Sequence, residues 1–583
     1  MRLAKCLSLF SLLFLIPLAA NAQQTITPAD QAATGRASAE QSRLLEQQRQ
    51  SNQREATVSA PTARSSAPAK QGWPELPSEK LCFKIQTFVL EVPQALPAAT
   101  RAAGASALPL DRFAFAREWL DHYRGQCVGR QGLDVLVKGV QGEILSEGYV
   151  TTRVLLPAQD LSTGVLKFAL IPGVIRHLKF ADKTTRGTWK TAFPTRDGDV
   201  LQLRDLEQGL EQMKRVSNQD VTMQIVPGDV PGESDVVIAV KRTKPWSFVV
   251  SADNSGVSQT GRYIGTATLG LNNLLGLNDI LTVGYNRDLA FRGASTGTQG
   301  WNASYSMPWG YWTGTLFGYT NKYSQQIAGI NQTFTASGNT QTAGAKIERV
   351  LHRGQDDVSG MEFQFIKRFG ASFINDTEIP QQYRDNTYVE AGLTNRHYFG
   401  ASQFDGTLAY RQGIGGFGAM PDTQSGPTYR FHMATLDANL SVPFSIGKQP
   451  LRYVGTVHGQ YTNDELNYLD DLTLGSRYTV RGFSGETMLA AEKGFYWRNE
   501  LQMPLGRSGQ TLYAGLDYGQ VWGPSAAYLA GTQLAGAVVG LRGRVQASLG
   551  ALNYDLFVGT PVYKPASFVA SKVVAGFQIT AQF

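Results

Sequence analysis

Four sets of residues have the types and spacings that chemistry requires. Gly293-Ala294-Ser295-Thr296-Gly297 matches the GxSxG nucleophile elbow. That elbow needs a strand before the Ser and a helix after it. Here the Ser falls in a connection between two strand-like segments, so the match reads as a turn and no hydrolase is expected. The six histidines, His122, His177, His352, His397, His432 and His458, are scattered, with no pair at zinc-ligand spacing. No metal, no cofactor and no catalytic residue is therefore expected. Cys82 and Cys127 form an even pair, which in an oxidising compartment reads as one disulfide. The fourth set is Val480-Arg481-Gly482-Phe483, in a connection running over residues 463–493. Gly482 permits a sharp bend, and Arg481 between apolar neighbours requires a carboxylate.

The elements that position Arg481 come from periodicity. From residue 246 onward helical spacing disappears, and segments of about ten residues alternate between turns rich in Gly, Asn, Asp and Pro. In the segment from Phe495 to Met503, Phe495, Trp497, Leu501 and Met503 share one parity; Tyr496, Arg498, Glu500 and Gln502 share the other. The last segment sets Val573, Ala575, Phe577, Ile579, Ala581 and Phe583 against Gly576, Gln578, Thr580 and Gln582. This is the pattern of a membrane β-barrel, apolar outside and polar within, closing on a terminal aromatic, Phe583, that serves as a barrel-assembly signal. About 16 antiparallel strands fit between residues 245 and 583. An even count puts both ends of the barrel on the periplasmic side and makes residues 463–493 the sixth outer connection, after the eleventh strand. By the same parity Leu512, Ala514, Leu516 and Tyr518 face lipid, so Asp517 points inward between Gly515 and Gly519, which leave room for a loop. Asp517 is the partner this parity offers Arg481.

Before the barrel, residues 1–22 read as a secretory signal peptide: Arg2 and Lys5, an apolar stretch from Leu7 to Leu18, then Ala20-Asn21-Ala22. Cys6 leaves with it. Residues 23–56 contain good helix formers with no apolar face, a polar helix that is either disordered or lodged in a polar lumen. Residues 57–80 are a linker rich in Pro, Ser and Ala. Two α+β modules follow, at 81–172 and 173–244. In the first, strands are expected at Cys82–Gln86, Val135–Val137, Val150–Leu156 and Leu166–Leu170, with a helical face of Phe113, Ala116, Leu120 and Tyr123 and a short helix near Ile144. In the second, strands at Val174–Phe180, Val221–Ile225 and Asp235–Lys241 flank a helix striped by Leu203, Leu206, Leu210 and Met213. The net charge of +7 comes without a basic, aromatic-interleaved patch, so no nucleic-acid partner is expected.

With these motifs in place, the chain resembles the two-partner secretion outer-membrane transporter family. Val480-Arg481-Gly482-Phe483 is similar to its loop signature, and Gly515-Leu516-Asp517-Tyr518-Gly519 to its barrel-wall motif, with Tyr513 where that motif begins with Phe. Asp253-Asn254, Thr260-Gly261-Arg262 and Asn273-Leu274-Leu275-Gly276 resemble its first hairpin; Arg498-Asn499-Glu500-Leu501 and Gly559-Thr560-Pro561 also fit. Pro157 to Leu161 with Gly164, and Cys82-Phe83 with Gly125-Gln126-Cys127, resemble the ends of its first POTRA module. Ala491-Glu492-Lys493-Gly494 departs from the Gly-Asp pair of many members. The resemblance implies a transporter whose POTRA modules receive an unfolded partner exoprotein (an adhesin, a cytolysin or a contact-dependent toxin) in the periplasm. It implies a loop locked by Arg481 and Asp517 and a pore plugged by the N-terminal helix. The remaining expected partners are outer-membrane lipid and, during biogenesis, the barrel assembly machinery. A barrel-assembly factor of the same superfamily and a passive porin are the alternatives.

Overall fold

The computed structural model describes residues 28–59, 62–64, 72–104, 111–217, 219–291, 296–328, 333–422, 426–506, 508–548 and 550–583. The expected signal peptide and Gly293 to Ser295 of the GxSxG match lie outside these. Sixteen long antiparallel strands, from Trp246–Asp253 to Val574–Gln582, form a closed barrel. A two-residue strand, Thr377–Glu378, adds to the outer end of the seventh, Asp357–Ile374. The ring is closed by Val249↔Gln582 through Asp253↔Gln578.

Side-chain alternation decides which face meets lipid. Trp301, Leu316, Leu393, Leu408, Trp497, Leu516, Val539 and Val558 are exposed on the outer surface. Tyr496, Glu500, Tyr513 and Asp517, of opposite parity on two of those strands, are buried inside. An apolar exterior over a polar interior has its lowest free energy in a bilayer, and closure leaves no strand edge to hydrogen-bond in lipid. Among the described residues no helix is long and apolar enough to cross a membrane.

The first small module packs its helices Ala114–Asp121 and Arg130–Ser146 on the sheet Thr87–Glu91, Val165–Ile171 and Arg153–Leu155. Cys82 and Cys127 are joined in a disulfide. The expected strand at Val135–Val137 is instead the middle of the helix Arg130–Ser146. Leu136, Val140 and Ile144 recur every four residues and are fully buried, a helical stripe. Its N-terminus is capped from a distance: the Glu79 carboxylate accepts from the backbone N–H of Gln131 (3.0 Å) and Gly132 (2.8 Å). These bonds hold that carboxyl below its usual range. A cap about fifty residues upstream leaves no local helix-start signal, which is why β-branched Val135 and Val137 read as a strand.

The second module places the helix Leu203–Lys214 against Val174–Phe180, Glu233–Arg242 and Gln219–Pro227. That helix also fixes the module to the barrel. Gln208 and Gln212 donate to the Gly310 carbonyl in a turn at the barrel's inner end, and Arg353 pairs with Glu211 at 3.0 Å. The N-terminal helix, Pro28–Val58, runs through the barrel. At its outer end Gln382 donates to the Gln31 carbonyl; at its inner end Gln403 donates to the Val58 carbonyl. At 1.5 Å per residue its 31 residues extend roughly 46 Å, about the full thickness of a bilayer.

The disulfide closes a loop with a sequence separation of 45, worth about 4 kcal/mol on the chain-entropy relation. Reducing the full-length protein, or replacing both cysteines with Ser, is expected to speed proteolysis of the first module. The barrel's heat-modifiable gel migration should stay unchanged. Equal proteolysis before and after reduction contradicts the assignment.

Candidate functional site

The connection between the eleventh strand, Gln449–Tyr461, and the twelfth, Lys493–Pro504, folds back into the lumen. Its two arms pair as a small hairpin, Leu472–Leu474 with Leu489–Ala491. Leu474, Val480, Phe483 and Leu489 pack with Tyr496, Val521, Leu534 and Phe568 in an apolar cluster of their own. This explains why the loop is ordered: it buries side chains against the wall as a small domain does.

At its tip Arg481 is 4 % exposed and Asp517 is fully buried. Arg481 Nε donates to Asp517 Oδ2 at 2.7 Å and Nη2 to Oδ1 at 2.9 Å, a bidentate pair. The Arg481 backbone N–H adds a third bond to Oδ2, at 2.9 Å. Nη1 donates to Glu500, whose other oxygen pairs with Arg542 at 2.9 Å. Arg481 thus bridges two buried carboxylates, and the partly exposed Arg542 offsets the second of them from the rim of the site. A buried charge left without its partner is strongly unfavourable, so the four groups stabilise one loop position.

The wall is cut to receive the tip. A Cβ at Gly536 would lie 1.8 Å from the Arg481 carbonyl oxygen, and one at Gly515 would lie 2.5 Å from Arg481 Nη2. A Cβ at Gly559 would lie 2.9 Å from the Gly482 Cα, and Gly482 itself adopts φ 102°, unfavourable for any residue with a Cβ. Gly519 makes room for Leu474 and Val480. The structure therefore brings together Val480, Arg481, Gly482, Phe483, Gly515, Asp517 and Gly519. Phe583 sits apart, bonded through its backbone to Phe248 at the inner end of the seam; Cys82 and Cys127 lie in the first module.

Sequence reasoning missed Arg542 and Gly536, and it noted Glu500 and Gly559 without giving them a place at the loop tip. Parity alone put Glu500 inside, but nothing in the chain says that one Arg has two carboxylate partners. At the loop's far arm Glu492 is fully buried and accepts from the Ser525 backbone N–H and hydroxyl, at 3.1 and 2.6 Å. The family's departure at this position is thus a residue with its own partners.

Two adjacent acids anchor the descending arm. Asp470 pairs with Arg368 of the seventh strand at 3.0 Å, and Asp471 pairs with Arg43 of the N-terminal helix at 2.6 Å. The same helix reaches the loop through Gln47, which donates to the Thr473 carbonyl and accepts from Ser476. It reaches the wall through Arg54 to Asp437, Arg49 over the Tyr319 ring and Ser38 to Ser372. A helix with no apolar face is stable here because the lumen supplies polar partners that a core lacks. Among the described residues no cluster of His, Cys, Asp or Glu suits a metal ion.

A family model described as haemolysin secretion/activation protein ShlB/FhaC/HecB matches residues 232–543. A ShlB-type POTRA model matches 101–173, and a POTRA model 174–227. The chain is 60% identical over 572 residues to outer membrane transporter CdiB-2 of Burkholderia pseudomallei (strain 1026b), covering 98% of each. It is 30% identical to outer membrane transporter CdiB of Dickeya dadantii (strain 3937), over 79% of this chain and 82% of that one. The solved CdiB from Acinetobacter baumannii superposes with a TM-score of 0.80 at 26% identity, covering 94% of this chain and 99% of that one. CdiB from Escherichia coli gives 0.78 at 25%, covering 96% and 100%.

Gly536→Val tests the seat without touching a charge. A side chain at that point cannot coexist with the Arg481 carbonyl, so the tip must leave. Cleavage within residues 475–485 by an externally added protease is expected to appear in the variant and not in the parent. An equally protected loop in a folded barrel contradicts the geometry.

Proposed function

Since the chain belongs to the haemolysin secretion/activation family, the two-partner secretion transporters of the outer membrane, we propose a resting state in which helix and loop together close the export route. The protein is a transporter, not an enzyme, and its partner is a secreted exoprotein. In our reading the POTRA modules take up that exoprotein unfolded, by adding an extended segment to a free sheet edge. Thr87–Glu91, Arg153–Leu155, Val174–Phe180 and Gln219–Pro227 are the outer strands of their small sheets. The arriving chain displaces the N-terminal helix and threads outward through the barrel. The periplasm offers no ATP, so folding of the cargo outside biases the direction.

The observation that carries this reading is the buried Arg481–Asp517–Glu500 contact, joined through one loop to the helix contacts at Arg43 and Gln47. Such a contact suits a register lock or a switch better than it suits stability. The polar helix that fills the pore supports export over barrel assembly. The cargo is an adhesin, a cytolysin or a contact-dependent toxin, a choice decided by which protein vanishes from surface and medium on deleting the transporter.

Arg481→Ala leaves Asp517 buried without its cation and Glu500 with Arg542 alone, at a cost of roughly 3–5 kcal/mol to the resting loop position. The expected outcome is a normally inserted barrel whose secretion of the partner falls sharply. Unchanged secretion with normal insertion rejects the lock.

A further inference from the structure

Among the described residues, the seam between the last and first strands is closed by strand pairing over only part of its length. The last strand runs from Val574 to Gln582 and pairs along its other side, from Gly559↔Val574 to Ala551↔Gln582. Against the first strand its pairing stops at Gln578↔Asp253. In the outer part, from Val574 to Phe577, side chains take the place of a strand. Asn254 Nδ2 donates to the Ala575 carbonyl at 2.9 Å, and Asn254 Oδ1 accepts from the Phe577 N–H at 2.9 Å. The primary amide thus imitates one peptide group of a neighbouring strand. Arg477, from the lumen loop, reaches through the gap and donates to the Phe577 carbonyl at 3.2 Å.

The first strand stops there for a local reason. Asp253 turns the chain by accepting from the Ser255 N–H at 2.8 Å, and the hairpin that follows bends inward. It is held by the two movable parts of the pore. Thr260, fully buried, donates to Gln41 of the N-terminal helix at 2.8 Å, and Glu486 of the loop accepts from the Ser258 N–H at 2.9 Å. A cavity lies between, lined by Leu44 of the helix, Arg477, Phe483, Glu486, Asn254 and Val574. It runs from the plug helix to the uncovered edge. Withdrawing the helix opens this cavity to the pore, and moving the loop takes Arg477 off the edge in the same event.

An edge of alternating N–H and C=O groups is satisfied by an extended polypeptide and by little else. The chain's own continuation is a poor candidate, since residues 254–261 contain Asn, Ser and two Gly and have low strand propensity. We propose that the outer half of the last strand, Val574 to Phe577, is a strand-docking edge for an extended segment of the exoprotein as it leaves the pore. Asn254 and Arg477 seal the edge at rest. The edge supplies the emerging chain's first strand partner, and so starts its folding on the outer surface. This rests on the export reading above.

The test uses the full-length transporter in cells, with its exoprotein stalled in transit by a fused, stably folded domain. A photo-reactive benzophenone side chain is placed at Ala575, at Phe577 as a second edge position, and at Val558, the register partner of Ala575 one strand further round. Heat-modifiable migration selects the variants that fold. A transporter–exoprotein adduct from Ala575 or Phe577, lost at Val558, is the expected result. Adducts confined to residues 254–263 of the transporter itself, or equal adducts at all three positions, overturn the proposal. Normal export of the unfused exoprotein with no edge adduct overturns it while leaving the export reading intact. Export persisting in a strain lacking the transporter defeats that reading instead.

Discussion

A guanidinium buried between two carboxylates is the constraint on which the rest of this structure depends. Arg481 makes a bidentate contact with Asp517 and a further bond to Glu500, away from water and away from salt. In the open pore each of these groups would be solvated, so the net stabilisation of the resting position is modest. What the contact supplies is position. This placement pairs the loop's buried charges, and the seat of Gly515, Gly536 and Gly559 lets the tip come closer than any wall side chain would allow. A loop of about thirty residues is thereby held in a single register inside a wide pore.

From that register the remaining contacts follow. The placed loop presents Asp471, Thr473 and Ser476 to the helix Pro28–Val58, adding to the wall contacts that hold it inside. The same loop presents Asp470 to Arg368 on the facing wall and Arg477 to the seam. Helix, loop, wall and first hairpin share partners, so displacing one strips polar groups of the others of their bonds. Coupling of this kind needs no long-range pathway; it is contact between neighbours that have one good arrangement together.

How far the sequence could be read depended on whether the deciding interaction was local. Barrel strands were legible because lipid imposes a period of two on every segment, as with Leu512, Leu516 and Asp517. The count of sixteen, and the place of the long connection after the eleventh strand, followed from turn spacing. The helix at Arg130–Ser146 was misread because its cap, Glu79, lies far upstream. The N-terminal helix was legible as a helix, but its place was not, since a polar face fits solvent and a polar lumen equally well. Asp517 was found from parity. Glu500 was placed inside by parity but, like Arg542, was not tied to Arg481, because the network that joins them exists only after three strands and a loop have come together.

In the proposed resting state, helix and loop occupy the route the cargo must take. Ser38 of the helix and Ser372 of the seventh strand face each other with their hydroxyl oxygens 3.3 Å apart. Secretion by the Ser38→Cys/Ser372→Cys transporter, measured before and after reduction, addresses the claim directly. Oxidation should tether the helix in the lumen and stop export, and reduction should restore it. A tethered transporter that exports at the parental rate would show that the cargo leaves by another path.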